Sequence, residues 1–169
     1  ALSFLKSCFG RHHFRHSCGL QNNEPRWLSF TTMSSSQELV ERYYYKGWNK
    51  ADVNVMKEVL DENIKFRGSF GRRPKRGREA VIEYMQSAHR ALARNLAKID
   101  NLVVSENGSK VAARVTHRGL HKGNFFGVEG SGHEVSWSAA AFFTISNGVI
   151  SDVWILGDVD SLKNQIGAE

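Results

Sequence analysis

Two acids close the last apolar run of the chain. In DVWILGDVDSLKNQIG, residues 153–156 read as a buried strand, and Asp158 and Asp160 follow at once. A carboxylate at the edge of an apolar surface is either a solvated strand end or an acid/base, because desolvation lifts a carboxyl pKa toward the range useful for proton transfer near neutrality. Alternation of side chains puts Ile150, Asp152, Trp154, Leu156 and Asp158 on one face. If that face lines a pocket, Asp158 stands beside Trp154 as a candidate general acid/base. If it does not, Asp158 can cap the helix-like DSLKNQIG, although Asp160, directly before Ser161 and Leu162, is the better cap candidate.

Histidines are the natural partners of such an acid. His117 follows Val111, Ala113 and Val115 on one strand face, which also suits a histidine packed in a core or an interface. His121 stands between Gly119 and Gly123, where glycines let the backbone turn closely, so it could reach a pocket mouth or simply support its loop. His89 and His133 read as peripheral. HExxH, CxxC, GxSxG and P-loop patterns do not occur, and the histidines of this region lack metal-site spacing, so no metal is expected.

The elements that must position these groups follow from periodicity. SSSQELVERYYYKGWN opens with capping serines and sets Leu39, Val40, Tyr43, Tyr44 and Trp48 at helical spacing. A short second helix carries Val53, Met56, Val59 and Leu60, and a third follows Gly77 with Val81, Ile82, Met85, Ala88 and Leu92 inward. The pattern then changes to a period of two. NIKFRGSF is a short strand, Asn107-Gly108 joins two longer ones, and Asn147-Gly148 joins HEVSWSAAAFFTI to the final strand. Three helices before most of a four- or five-stranded antiparallel sheet make an α+β fold.

Length and charge bound the rest. The 169 residues, 41% hydrophobic, suffice for one domain with a real core, and no run approaches the roughly 18 apolar residues of a membrane span. Residues 1–32 hold Lys6, Arg11, Arg15 and Arg26 against Glu24 alone, which is +3 of the net +6, with both cysteines, Cys8 and Cys18. This acid-poor stretch resembles an organelle transit peptide, which would send the protein to a mitochondrion or chloroplast. If it is merely sequence ahead of a start at Met33, a cytoplasmic location is expected. The folded domain is expected over residues 33–169.

The succession RVTHRGLHKGNFFGVEGSGHEVSW, ISNGVISDVWILGDVDSLKNQIG, an early YYYKGWN and a following GREAVIEYM resembles the SnoaL-like polyketide cyclase family over about residues 37–167. That family shares a cone-shaped α+β fold with ketosteroid isomerase and the nuclear transport factor. The resemblance implies a curved sheet around a pocket, three N-terminal helices closing it, and commonly a homodimer through the sheet's outer face. It also implies acid/base chemistry without a cofactor on a hydrophobic carbonyl compound, with Asp158 at the matching position of the general acid/base. His121 lies in a pattern similar to the family's Gly-Thr-His-x-Gly, with Leu120 in place of the threonine, and the penultimate strand AAAFFTI offers only Thr144 as a polar group. The catalytic candidates are therefore Asp158, His121 and His117.

Large rings would line the pocket. Trp154, Trp137, Tyr44, Phe66 and Phe125 are the substrate-binding candidates, suited to a small planar or polycyclic hydrophobic molecule. The run FRGSFGRRPKRGRE concentrates Arg67, Arg72, Arg73, Lys75, Arg76 and Arg78; it reads first as a solvated loop, and otherwise as a patch that could attract an acidic substrate, a carrier protein or RNA. Nucleic-acid binding is a minor reading, since stacking would need exposed rings beside the charge. A noncatalytic binding module on the same fold is the competing class.

Overall fold

The computed structural model describes residues 30–71 and 73–168; most of the expected leader, with both cysteines, lies outside them. Helix α1 (Phe30–Arg42) runs into a π-helical turn (Tyr43–Trp48). There the Asn49 N–H reaches the Tyr44 carbonyl at 2.8 Å and the Asp52 N–H reaches that of Gly47 at 2.9 Å, the five-residue spacing of a π-helix. The widened turn brings Tyr43, Tyr44, Gly47 and Trp48 to one buried face. Asp52 then accepts from the N–H groups of Asn54 and Val55 and caps α2 (Val53–Val59).

Asn49 fixes where this turn sits. Its side-chain amide donates to the Ala97 carbonyl at 2.9 Å and its oxygen accepts the Ala97 N–H at 2.7 Å, locking the turn onto the sheet. Asn49→Ala is expected to cost about 1–3 kcal/mol, the penalty for a strand N–H and carbonyl losing their partner. A urea midpoint lowered at constant m-value would register it.

The remaining elements are β1 (Leu60–Arg67), β2 (Lys75–Arg76), α3 (Arg78–Ala91), β3 (Leu92–Val104), β4 (Lys110–His121), β5 (Glu134–Ser146), β6 (Val149–Gly157) and α4 (Val159–Ile166). They build one six-stranded sheet in the order β2-β1-β6-β5-β4-β3. The α+β expectation holds, with two corrections. The sheet is mixed, because β1 lies parallel to β6, and it has six strands where four or five antiparallel ones were expected. A fourth helix follows the sheet.

Both Asn-Gly turns form as expected, with Asn147 and Gly148 at φ 51° and 76°, the left-handed pair that a two-residue hairpin turn requires. Register shifts interrupt β3 near Arg94 and Asp100, and β5–β6 between Thr144 and Ile145. Such bulges bend the strands they interrupt and curve the sheet. The inner face carries Val111, Ala113, Val115 and His117 of β4, and Trp137, Ala139, Ala141 and Phe143 of β5. The small alanines leave space that the helices fill, so Tyr43 and Tyr44 meet Phe143 at ring distances of 5.6 and 6.0 Å.

Candidate functional site

Between the π-turn and the inner face of the sheet lies a cavity of about 10 Å³, lined by Tyr43, Tyr44, Trp48, Ser69, Phe70, Tyr84, His117, Trp137 and Ile155. That volume holds about one water. The strand register builds its floor: His117 and Trp137 stand opposite each other across β4 and β5, and their rings stack at 4.9 Å with only 10° between planes. The π-turn builds its roof, with Tyr44 and Trp48 edge-on to His117 at 6.4 and 5.8 Å.

Four polar atoms of the lining residues are not spent on the fold. The hydroxyls of Tyr43 and Tyr44, Nε1 of Trp48 and Nδ1 of His117 are buried without a hydrogen-bond partner. Buried polar groups are nearly always paired, so four orphans around one cavity are unusual. Burial pushes the phenol of Tyr44 well above its ordinary value, with the neighbouring Tyr43 and Tyr84 phenols adding to the effect, so it keeps its proton at neutral pH. Burial lowers His117 to about 4, so its imidazole is neutral there. The site thus offers a neutral donor beside a neutral imidazole in a buried, aromatic surround.

A wall of two rings separates this cavity from the outside. Phe70 and Tyr84, stacked at 5.5 Å, line both the inner cavity and an outer pocket of about 200 Å³ that also touches Phe66, Arg73, Lys75, Ser87 and Phe125. Phe125 packs edge-on to Phe70 at 5.1 Å. Tyr84, raised by burial, is held by hydrogen bonds from Ser69 and the backbone of Phe70.

The expected residues divide accordingly. Tyr44, Trp137 and His117 meet in the inner cavity, and Phe66 and Phe125 in the outer pocket. Asp158 and Trp154 do not join them. Asp158 is exposed and accepts the Ser161 N–H at 3.0 Å as the N-cap of α4, the role expected of Asp160. Trp154 lies on the outer face of the sheet beside Phe142 and beneath the Arg67 guanidinium, 5.0 Å from its ring. The reason is a change of face along β6: Ile150 points inward, but after the register shift Val153 and Ile155 do so, turning Trp154 and Leu156 outward.

His121 is fully buried, but apart from the cavity. The Ser131 N–H donates to its Nδ1 at 3.3 Å, so the proton of a neutral ring sits on Nε2, which has no partner. His89 is half-buried, with Nε2 2.9 Å from the Trp48 carbonyl. Among the described residues no three His, Cys, Asp or Glu side chains gather where they could hold a metal ion. Tyr43, Trp48, Ser69, Phe70, Tyr84 and Ile155 line the cavity without having been site candidates; the aromatic run YYYKGW was the signal for the first two, and nothing local marked the others.

The profile of the SnoaL-like polyketide cyclase family matches residues 38–166. The chain belongs to that family. Among solved structures, TsrD from Streptomyces laurentii shares 25% identity at a TM-score of 0.71, over 80% of this chain and 97% of that one. A SnoaL-like polyketide cyclase candidate from Jannaschia sp. CCS1 shares 21% identity at 0.73, over 82% and 95%, and has the same fold. AclR, a hydroxylase candidate from Streptomyces galilaeus, aligns at 20% identity and 0.68 over 80% and 82%. No curated protein sequence matches the chain.

Proposed function

We propose that the protein is an enzyme that enolises a small hydrophobic carbonyl compound by general acid/base chemistry, as a cyclase or isomerase would, in the inner cavity as enlarged when Phe70 and Tyr84 move aside to join it to the outer pocket. The observation that supports this reading is the set of unspent polar atoms on Tyr44, Trp48 and His117 around one cavity. The Tyr44 O–H donates to the substrate carbonyl oxygen. Nδ1 of neutral His117 takes the proton from the adjacent carbon, and the C–H electron pair becomes the enolate π-bond as charge moves onto the oxygen. That charge strengthens the Tyr44 hydrogen bond, the differential stabilisation that lowers a barrier. It also lies beside the imidazolium, countering the desolvation that otherwise keeps His117 unprotonated. The enolate then either attacks a second carbonyl carbon, whose C=O π-pair becomes an alkoxide that takes the proton back from His117, or recovers that proton from His117 at another carbon.

The competing reading is a noncatalytic binding module, favoured by the smallness of the closed cavity and the exposure of Asp158. Deuterium exchange at the α-carbon of an enolisable bicyclic ketone such as 2-tetralone separates the two. Catalysed exchange supports the enzyme, and binding without exchange across a set of such ketones supports the module. In the same assay Asp158→Asn is expected to stay within about threefold of the parent, because asparagine caps a helix nearly as well as aspartate. A hundredfold loss would return Asp158 to the mechanism.

The reading includes a homodimer through the outer face of the sheet, where Phe142, Leu156 and Trp154 remain 50%, 53% and 38% exposed. These exposed apolar side chains on one sheet face support that reading, since large apolar patches are uncommon on monomers. Sedimentation of the full chain at tens of micromolar, a concentration chosen on the order of common interface dissociation constants, is expected to give a dimer. Phe142→Arg should give a monomer with unchanged far-ultraviolet circular dichroism, and a monomeric parent would refute the interface.

A further inference from the structure

We infer that the ligand of the inner cavity carries an oxyanion, a carboxylate or a phosphate, on the end that stays outside the ring wall. The inference rests on the cavity reading above and adds the chemical class of the ligand. The outer pocket shares Phe70 and Tyr84 with the inner cavity, so a molecule whose apolar body displaces that wall leaves its trailing end in the outer pocket. The polar side chains there, apart from Tyr84, are Arg73, Lys75 and Ser87, which are donors, and no carboxylate lines the pocket.

The two cations are weakly committed elsewhere. Arg73 is exposed and forms no ion pair with a described residue. Lys75 reaches Glu83 only at 4.0 Å, with both side chains more than half exposed, a pair that water and salt leave nearly worthless. Lys75 also lines a neighbouring groove with Lys65, Arg67 and Arg76 against Asp152 alone, so four cations to one acid leave the approach to the pocket net cationic. Such a field concentrates small anions at the mouth. Inside the wall the situation reverses: no formal charge lines the inner cavity, and burial disfavours one there. An apolar carbonyl-bearing body with one anionic end satisfies both compartments, whereas a wholly neutral ligand leaves the rim unused.

The test uses three ligands with one ring system: 1-naphthoate, 1-naphthyl phosphate and methyl 1-naphthoate. Each is titrated by calorimetry against the full-length protein at low salt. At least one anion is expected to bind about tenfold more tightly than the neutral ester, the effect of a partly screened charge contact. Which anion gains more tells carboxylate from phosphate. The preference should vanish in the Arg73→Ala, Lys75→Ala double variant and in 0.5 M salt, while the affinity of the ester stays put. Equal binding of all three to the parent, or a preference that survives the double variant, overturns the inference and leaves the cavity reading intact. Failure of every ligand to bind overturns both. Phe142→Ser, on the opposite face of the sheet, should change none of the affinities; if it lowers them, the ligands sit on the outer face and the inference fails.

Discussion

Tyr44→Phe is expected to lower α-carbon exchange by about 10²–10³-fold while leaving the protein as stable as before or more so. The rate loss is that of removing one donor from a developing oxyanion in a dry site. The stability half of the expectation is unusual and follows from the free protein. The Tyr44 hydroxyl is buried and unpartnered, so its deletion breaks no hydrogen bond and relieves the desolvation of an unpaired polar group. A residue kept for packing alone would also hold or gain stability, but phenylalanine would leave its rate unchanged. A residue kept for a fold-supporting hydrogen bond would lose stability. Only a group held ready for a ligand loses rate and gains or holds stability, the trade-off expected of preorganised sites. Exchange within about threefold of the parent would remove Tyr44 from the mechanism, by the free-energy reading of mutant rates.

The contrast between Tyr44 and Asp158 shows what sequence could and could not convey. Strand alternation is a local property, and it correctly grouped Val111, Ala113, Val115 and His117 on one face of β4, all of them buried. It could not say which face of β6 is inward, because one irregularity between Thr144 and Ile145 changes the parity of everything after it. Trp154 compounds the error: a large ring reads as core, yet here it lies outside against the Arg67 guanidinium. The π-turn was equally hidden. YYYKGW has ordinary helical spacing, and the turn is tied to the sheet through Asn49 on Ala97, a contact 48 residues away in sequence. The parallel pairing of β1 with β6 is another contact between distant segments that no local pattern announces. The Asn-Gly turns, by contrast, were legible because the left-handed backbone of Gly108 and of Asn147 and Gly148 is a local preference of those residues themselves.

His117 should make the protein acid-labile in a way that one substitution removes. Its folded-state value of about 4 lies below the ordinary histidine value of 6.5, and burial is the cause. Between these values the unfolded chain binds the extra proton and the folded chain does not, so stability falls as the pH drops through this window. The contribution is absent above about pH 7, reaches about 2 kcal/mol of destabilisation at pH 5 and about 3 kcal/mol at pH 4. His89, also lowered chiefly by burial, acts in the same direction, so the test compares slopes rather than single midpoints. His117→Phe keeps a flat ring against Trp137 and removes the proton site. Denaturant midpoints measured from pH 7.5 to pH 4.5 should therefore fall less steeply for the variant, and it should lose exchange activity at every pH. A parallel slope would mean that His117 is hydrated or paired in the folded protein, and its role as the dry, neutral base of the cavity would fall with it. A bound enolate mimic supplies the missing counter-charge. A planar phenolate that occupies the cavity should therefore raise the His117 titration toward neutrality, read from the ring carbon-bound proton shifts by NMR, and a ligand-independent titration would place that anion out of reach of Nδ1.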